Sequence, residues 1–288
     1  MVWVNDIIQG ILLGGLYALF AAGLSLVFGV MRLVNLAHGD FSIMAAYIAL
    51  AIVGSIDINP FYTIILVGIV MALFGYVIQR GLFNFAMDAG PMQAILATFG
   101  LAIIIQNLLL EGFTANSKGL DAGSIENAVI KISEQITIGW FPLITVIVSV
   151  IVLLALQFFL SRTRMGRAFR ATADNQKAAQ LMGIDNRHLY GLAMAFALAI
   201  VAIGGIFIGI RTTFSPSAGP LRLIFAYEAV IIGGLGSLWG TLVGGVVLGI
   251  AQVMGDHASQ GWGILVGHLV FLAILAFRPQ GLFAKQAQ

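Results

Sequence analysis

Apolar residues fill most of the chain in long runs, at 7–29, 31–54, 60–80, 91–110, 143–160, 188–210, 223–250 and 262–277. A helix that crosses the hydrocarbon layer of a bilayer needs about twenty such residues. The runs therefore predict an all-α polytopic membrane protein with about eight transmembrane or re-entrant segments. Two of the runs are interrupted. In 31–54 the break carries Asn35, His38, Gly39 and Asp40. In 223–250 it carries Glu228 and the stretch IIGGLGSLWGTLVGG, with Gly233, Gly234, Gly236, Gly240, Gly244 and Gly245. Each glycine costs a helix interior about 1 kcal/mol relative to alanine. Broken backbone at membrane depth must be sheltered by protein.

The order of Gly-rich helix, broken segment and plain helix occurs twice, over 7–80 and 188–277. The second copy begins five elements after the first, and an odd shift reverses orientation. The expected architecture is thus an inverted repeat with two Gly-interrupted helices, in one transmembrane domain over 1–288. Transporters commonly bind substrate where two such breaks meet near the midplane, although interrupted helices also occur in channels. In 7–29, Gly10, Gly14, Gly15 and Gly23 invite close helix packing. Asn59-Pro60 and Gly90-Pro91 read as turns, and Thr98, Gln106 and Asn107 are expected to face neighbouring helices.

Composition agrees with this pattern. The chain is 60% hydrophobic and 9% charged, against about a quarter charged in soluble domains. There is no cysteine, which excludes disulfides, thiolate nucleophiles and thiol-ligated metals. A net charge of +2 is too small and too localised for a nucleic-acid surface. The first run lacks a basic flank and a small-residue cleavage site, so it reads as retained structure.

Six of the 14 Lys and Arg residues fall in the polar island 161–187, SRTRMGRAFRATADNQKAAQLMGIDNR. Its second half predicts a helix of about eight residues, capped by Asp174 and stopped at Gly183-Ile184. So short a helix needs a surface to pack on, and Ala178, Leu181 and Met182 offer apolar contacts. The alternative is a helix lying on lipid headgroups, with Arg162, Arg164, Arg167 and Arg170 drawn to anionic lipid. The positive-inside tendency places the island in the cytoplasm and the acidic 111–138 connection, with Glu111, Asp121, Glu126 and Glu134, outside. If 31–54 and 223–250 are re-entrant pairs, both termini are cytoplasmic, including Lys285. Eight plain crossings would put both outside.

Glu228, a carboxylate deep in an apolar run, is a functional candidate. Its structural alternative is a carboxylate paired with Arg211 or Arg222, or protonated. His38 and Asp40 invite a metal or acid–base reading, but no further ligands converge at suitable spacing. His188, His257 and His268 read as packing or interface residues. GGLGSLWG follows no strand and precedes no GKS or GKT, so a phosphate loop is excluded.

Three stretches, VNLAHGDFSIMAAY at 34–47, TRMGRAFRATADNQKAAQLMGID at 163–185 and IIGGLGSLWGTLVGGVVLG at 231–249, together with the closing RPQGLF at 278–283, resemble one family. It is the permease of ATP-binding-cassette importers for branched-chain amino acids, and the resemblance covers essentially the whole chain. It implies an integral protein of the bacterial inner (plasma) membrane that pairs with a second, related permease. Two cytosolic ATP-binding subunits would use the ATP, an extracytoplasmic binding protein would deliver the substrate, and this chain would hold no cofactor.

By the same resemblance the island is the ATPase-coupling segment. Gly166, Arg167, Ala168, Arg170, Ala171, Asn175, Ala178, Gly183 and Ile184 match its pattern, with Asp174 and Leu181 added from the helix reading. Asn35, Ala37, His38, Gly39 and Asp40 match the first interrupted helix, and Gly233, Gly234, Gly236, Ser237, Gly240 and Gly244 the second. Ala45 departs from the pattern, where a glycine is usual. The expected substrate path runs between these two helices, past Asn35, His38, Gly39, Asp40, Thr98, Glu228, Gly233, Gly234, Gly236 and Ser237. Relatives that carry urea, short amides or pentoses leave the substrate open. A secondary transporter or channel without an ATPase is the competing class.

Overall fold

The structure is a computed structural model that describes residues 2–133 and 136–283, so Glu134 and Lys285 lie outside the described residues. Twelve α-helices follow in order among them: α1 Val2–Met31, α2 His38–Ile56, α3 Pro60–Ile78, α4 Asn84–Ala89, α5 Pro91–Phe113, α6 Trp140–Arg162, α7 Arg164–Asp174, α8 Gln176–Leu181, α9 Asn186–Arg211, α10 Gly219–Gly233, α11 Leu238–Ala258 and α12 Gly263–Phe277. A π-helical turn at Gln79–Phe83 joins α3 to α4 without a break. The predicted turns are present. Asn59 Oδ1 accepts from Phe61 N at 3.1 Å at the start of α3, and Pro91 opens α5. Inside the 111–138 connection the chain also forms a hairpin, β1 Val129–Ser133 antiparallel to β2 Ile136–Gly139, which the sequence reading did not anticipate.

Helices α1 and α9 form the buried centre. They run antiparallel, with Gly204 against Phe20 and Gly23 against Ala197. α11 lies antiparallel along α1, where a Cβ on Gly14 would stand 2.4 Å from the Val246 Cα. α3 lies antiparallel along α9, with Gly75 against Met194 and Gly191 against Tyr76. The glycines of the first run thus seat neighbouring helices, as expected. α2 also packs on α9, α10 on α1, and α2 on α10. Exchanging α1 with α9, α2 with α10 and α3 with α11 maps this set of contacts onto itself. The packing of α3 along α9 thus parallels that of α11 along α1.

Seven helices are long and apolar enough to cross a membrane, and α10 and α12 are shorter, at 15 residues each. The stretch 31–54 is not a re-entrant pair, because it contains one uninterrupted helix of 19 residues, α2, preceded by a break. The two ends of the described chain do not lie at the same end of the bundle either. Gln9 donates to Thr137 O at 2.7 Å and Thr137 N to Asn5 Oδ1 at 3.2 Å, which ties the start of α1 to the hairpin. Leu282 N donates to Ile232 O and Phe283 N to Gly233 O, at 2.8 and 3.0 Å, which ties the end of the described chain to the opposite, island end. Nine traverses separate the two. The re-entrant reading fails at 31–54, which crosses as a single helix after its break, whereas 223–250 does descend to the island end as α10 and return as α11.

Candidate functional site

α1 reaches the island end at Met31, where Arg32 turns the chain with φ 53°. Residues 32–37 then run back along α1 until His38 Nε2 donates to Phe20 O at 2.9 Å. Phe20 lies eleven residues before Met31, about 16 Å up the helix at 1.5 Å per residue. α2 thus starts at mid-depth. On the other half, 212–218 leads from the hairpin end of α9 inward to Gly219, where α10 starts.

The two starts meet head to head. A Cβ on Gly39 would lie 2.0 Å from Gly219 O, and one on Gly219 would lie 1.9 Å from Asp40 Oδ1. Neither cap residue, Ala37 or Ala218, supplies a side-chain hydrogen bond. Each helix start exposes unpaired N–H groups and a partial positive charge. Asp40, 1% exposed, lays its carboxylate between them and accepts from Gln106 Nε2 at 2.9 Å. Gln106 binds Oδ1, while Oδ2 is buried without a hydrogen-bond partner among the described residues. Asn35 and Thr98 hold the break itself: Asn35 Oδ1 accepts from Ala37 N at 3.1 Å, and Thr98 Oγ1 from Leu36 N at 3.2 Å. His38 and Asp40 engage different helices and do not form a joint acid–base pair.

The other predicted path residues fall into two separate places. Glu228, 3% exposed on α10, accepts from His268 Nδ1 on α12 at 2.5 Å. Its partner is therefore His268, and neither Arg211 nor Arg222. Arg222 donates to Thr212 Oγ1 at 3.0 Å instead. Beside this pair, Tyr17 donates to Gln252 Oε1 at 2.5 Å and packs on Phe225. Gly233, Gly234, Gly236 and Ser237 make the turn between α10 and α11 at the island end. Gly236, with φ 79°, touches Gly29 there, and Ser237 Oγ accepts from Gly240 N at 3.1 Å. Gly240, Gly244 and Gly245 are helical, so only Gly234 and Gly236 lie in the break. Gly39 and Gly236 do not meet. The residue opposite Gly39 is Gly219, which the sequence reading missed because a single glycine before a proline looks like any turn.

The island folds as two helices. Thr163 caps α7, where Gly166 packs against the backbone of Phe159 and Leu160. Arg170 donates to Leu160 O at 2.7 Å, closing the end of α6. Asp174 is the last residue of α7 and caps nothing. The cap of α8 is Asn175, whose Oδ1 accepts from Ala178 N at 3.0 Å. Gly183, with φ 85°, stops α8, with Ile184 N donating to Ala179 O at 3.1 Å. Arg167 is exposed and Ala168 and Ala171 are half-buried. Ala178 is exposed too, with Leu181 91% and Met182 70% exposed beside it, so α8 carries an apolar tip that nothing among the described residues covers.

Residues 7–275 match the family described as the branched-chain amino acid transport system, permease component. The chain belongs to that permease family. It is 28% identical over 98% of its length to the high-affinity branched-chain amino acid transport system permease protein BraD of Pseudomonas aeruginosa, covering 96% of that protein. It is 27% identical to LivH of Escherichia coli K12 over the same shares of both chains. The ribose import permease protein RbsC of E. coli K12 is 28% identical over 81% of this chain and 72% of RbsC. Like these relatives the permease is an integral membrane protein, and its seven long apolar helices are the physical expression of that.

Proposed function

We propose that this permease is the membrane subunit of an ATP-binding-cassette importer for branched-chain amino acids. The match to branched-chain permeases along nearly the whole chain carries the reading. In it the two three-helix units form an inverted repeat, the island end is cytoplasmic, and a second permease, two cytosolic ATPases and an extracytoplasmic binding protein complete the machine. The uncovered tip of α8 favours an ATPase as its occupant over lipid. Leu181 and Met182 project together at the end of α8, whereas a helix lying on lipid would present an apolar stripe along its length.

The substrate path follows α5 and the starts of α2 and α10. Gln106, Asn107, Leu110, Pro216 and Ser217 line a cavity of about 120 Å3 on the hairpin side, and Gln106 also binds Asp40. Asn35, His38, Gly39 and Thr98 shape the break below it. Glu228 belongs to the path's wall through its bond to His268, and the Gly233–Ser237 turn acts at the island end.

The reading is tested on the assembled complex. Leu181→Asp should leave the permease inserted yet abolish stimulation of ATP hydrolysis by the loaded binding protein. Normal stimulation would return α8 to the lipid surface. Uptake of ribose in preference to leucine would transfer the substrate reading to the sugar relatives.

A further inference from the structure

Beneath the end of α1 the packing around α7 is incomplete. A cavity of about 280 Å3 lies between α7, the last turns of α1 and α6, and the Gly236–Trp239 stretch. A second, of about 160 Å3, shares Val30, Ala173 and Asp174 with it and adds Arg32. The C-terminal half of α7 is therefore undercut from both sides.

The larger cavity divides by chemistry. Leu26, Val30, Phe169 and Leu238 are its apolar, largely buried walls, while exposed Arg170 and Asp174 stand at its edge. These two are one turn apart on α7, yet they do not pair with each other. The Asp174 carboxylate has no hydrogen bond or ion pair among the described residues. Arg170 uses one N–H on Leu160 O, which leaves the rest of its fork open. The Ser25 hydroxyl, buried on the α1 wall, has no partner among the described residues.

A guanidinium and a carboxylate side by side answer both charges of a zwitterion, and the walls behind them suit an aliphatic side chain. An anion or a cation alone would leave one of the two unanswered. The volume lies just below the range of about 300–1,000 Å3 usual for drug-sized ligands, as a smaller ligand requires.

We propose that this cavity binds an aliphatic amino acid from the island side and that its occupancy fixes α7 against α1. The permease would then sense the accumulated product of its own transport and slow. The ligand class, and the cytoplasmic sidedness, rest on the function proposed above.

The test uses the assembled transporter in nanodiscs, with L-leucine added without binding protein. Trp239 lines the cavity, so leucine should change tryptophan emission in a saturable way, and the change should be absent in Trp239→Phe. In the same range, leucine should lower ATP hydrolysis stimulated by loaded binding protein. Ser25→Phe fills the cavity from α1 and Ala173→Phe from α7. Either should raise the half-effect concentration about tenfold or more, equivalent to about 1.4 kcal/mol of lost binding. An unchanged Trp239 signal, or a filled variant that responds like wild type, overturns the proposal. If neither filled variant assembles, the Trp239 titration of the wild type decides alone. A binding protein that drives hydrolysis only with some other class of molecule sinks the substrate reading instead, and leucine's effect on Trp239 still decides the cavity.

Discussion

Gly39 and Gly219 carry no side chain because each faces the other's backbone. The 2.0 Å that would separate a Gly39 Cβ from Gly219 O is far inside contact distance, so Gly39→Ala must push two helix starts apart. Overpacking of this kind costs about 1–3 kcal/mol or more. Gly39→Ala and Gly219→Ala should each lower the thermal midpoint of the purified protein. Gly100→Ala, with open space around it in α5, should leave the midpoint unchanged or raise it, since it gains about 1 kcal/mol of helix propensity. Equal midpoints in all three variants would refute the head-to-head contact. Glu228 offers a second test. His268→Leu strands a buried carboxylate, at about 1–3 kcal/mol. Adding Glu228→Gln should restore part of the lost midpoint, and a purely additive double variant would show that the pair is not coupled. At this scale the sequence marked Asn35, His38, Asp40 and Glu228 as unusual because polar atoms in an apolar run stand out. It did not show the pairings: Gln106, Gly219 and His268 are 66, 180 and 40 positions from Asp40, Gly39 and Glu228, and only the tertiary fold brings them close.

At the scale of elements, helices were legible wherever an apolar run ended in a capping or turn residue, as at Asn59-Pro60 and Gly90-Pro91. The island was legible as a short helix stopped at Gly183, but its cap was misplaced by one residue. Asp and Asn stand side by side at 174 and 175, and composition alone does not tell which closes α7 and which opens α8. The Asn175 Oδ1 bond to Ala178 N decides it. Losing an N-cap costs about 0.5–2 kcal/mol. In a helix of six residues that is enough to fray it, so Asn175→Ala should weaken stimulation of ATP hydrolysis while Asn175→Asp, which keeps the acceptor, should preserve it. Equal stimulation in both would mean that α8 is held by its partner rather than by its cap. The Gly-rich turn shows the opposite limit of sequence reading. Six glycines in 233–245 looked like one long break. Three of them, Gly233, Gly240 and Gly244, serve instead to bring α10 and α11 together, as where a Cβ on Gly244 would meet Ala229 O at 2.0 Å.

For the whole molecule, order and polarity of the runs were readable, while side was not, because 31–54 crosses once whereas 223–250 folds as two helices, and both sequence alternatives treated the two alike. Arg32 is the first basic side chain after a 30-residue helix that starts beside Asp6, and both agree with an α1 that enters from outside. The permease has no cysteine, so single replacements report cleanly. Lys118→Cys, at the hairpin end, should react with an impermeant thiol reagent in intact cells. Lys177→Cys, on α8, should react only after the membrane is opened. The reverse pattern would invert the molecule and remove the coupling role of α8.

The meeting of the two helix starts also sets a timetable for biogenesis. When Asn35–Asp40 leave the ribosome, the glycine that will shelter them is still 180 positions from being made. At about 5–20 residues per second, the first break must wait about 10–40 s for Gly219 to arrive. During that interval the start of α2 lacks the Gly219 backbone against which Gly39 and Asp40 pack. The first three helices therefore reach their final packing only once the second half of the chain has entered the bilayer.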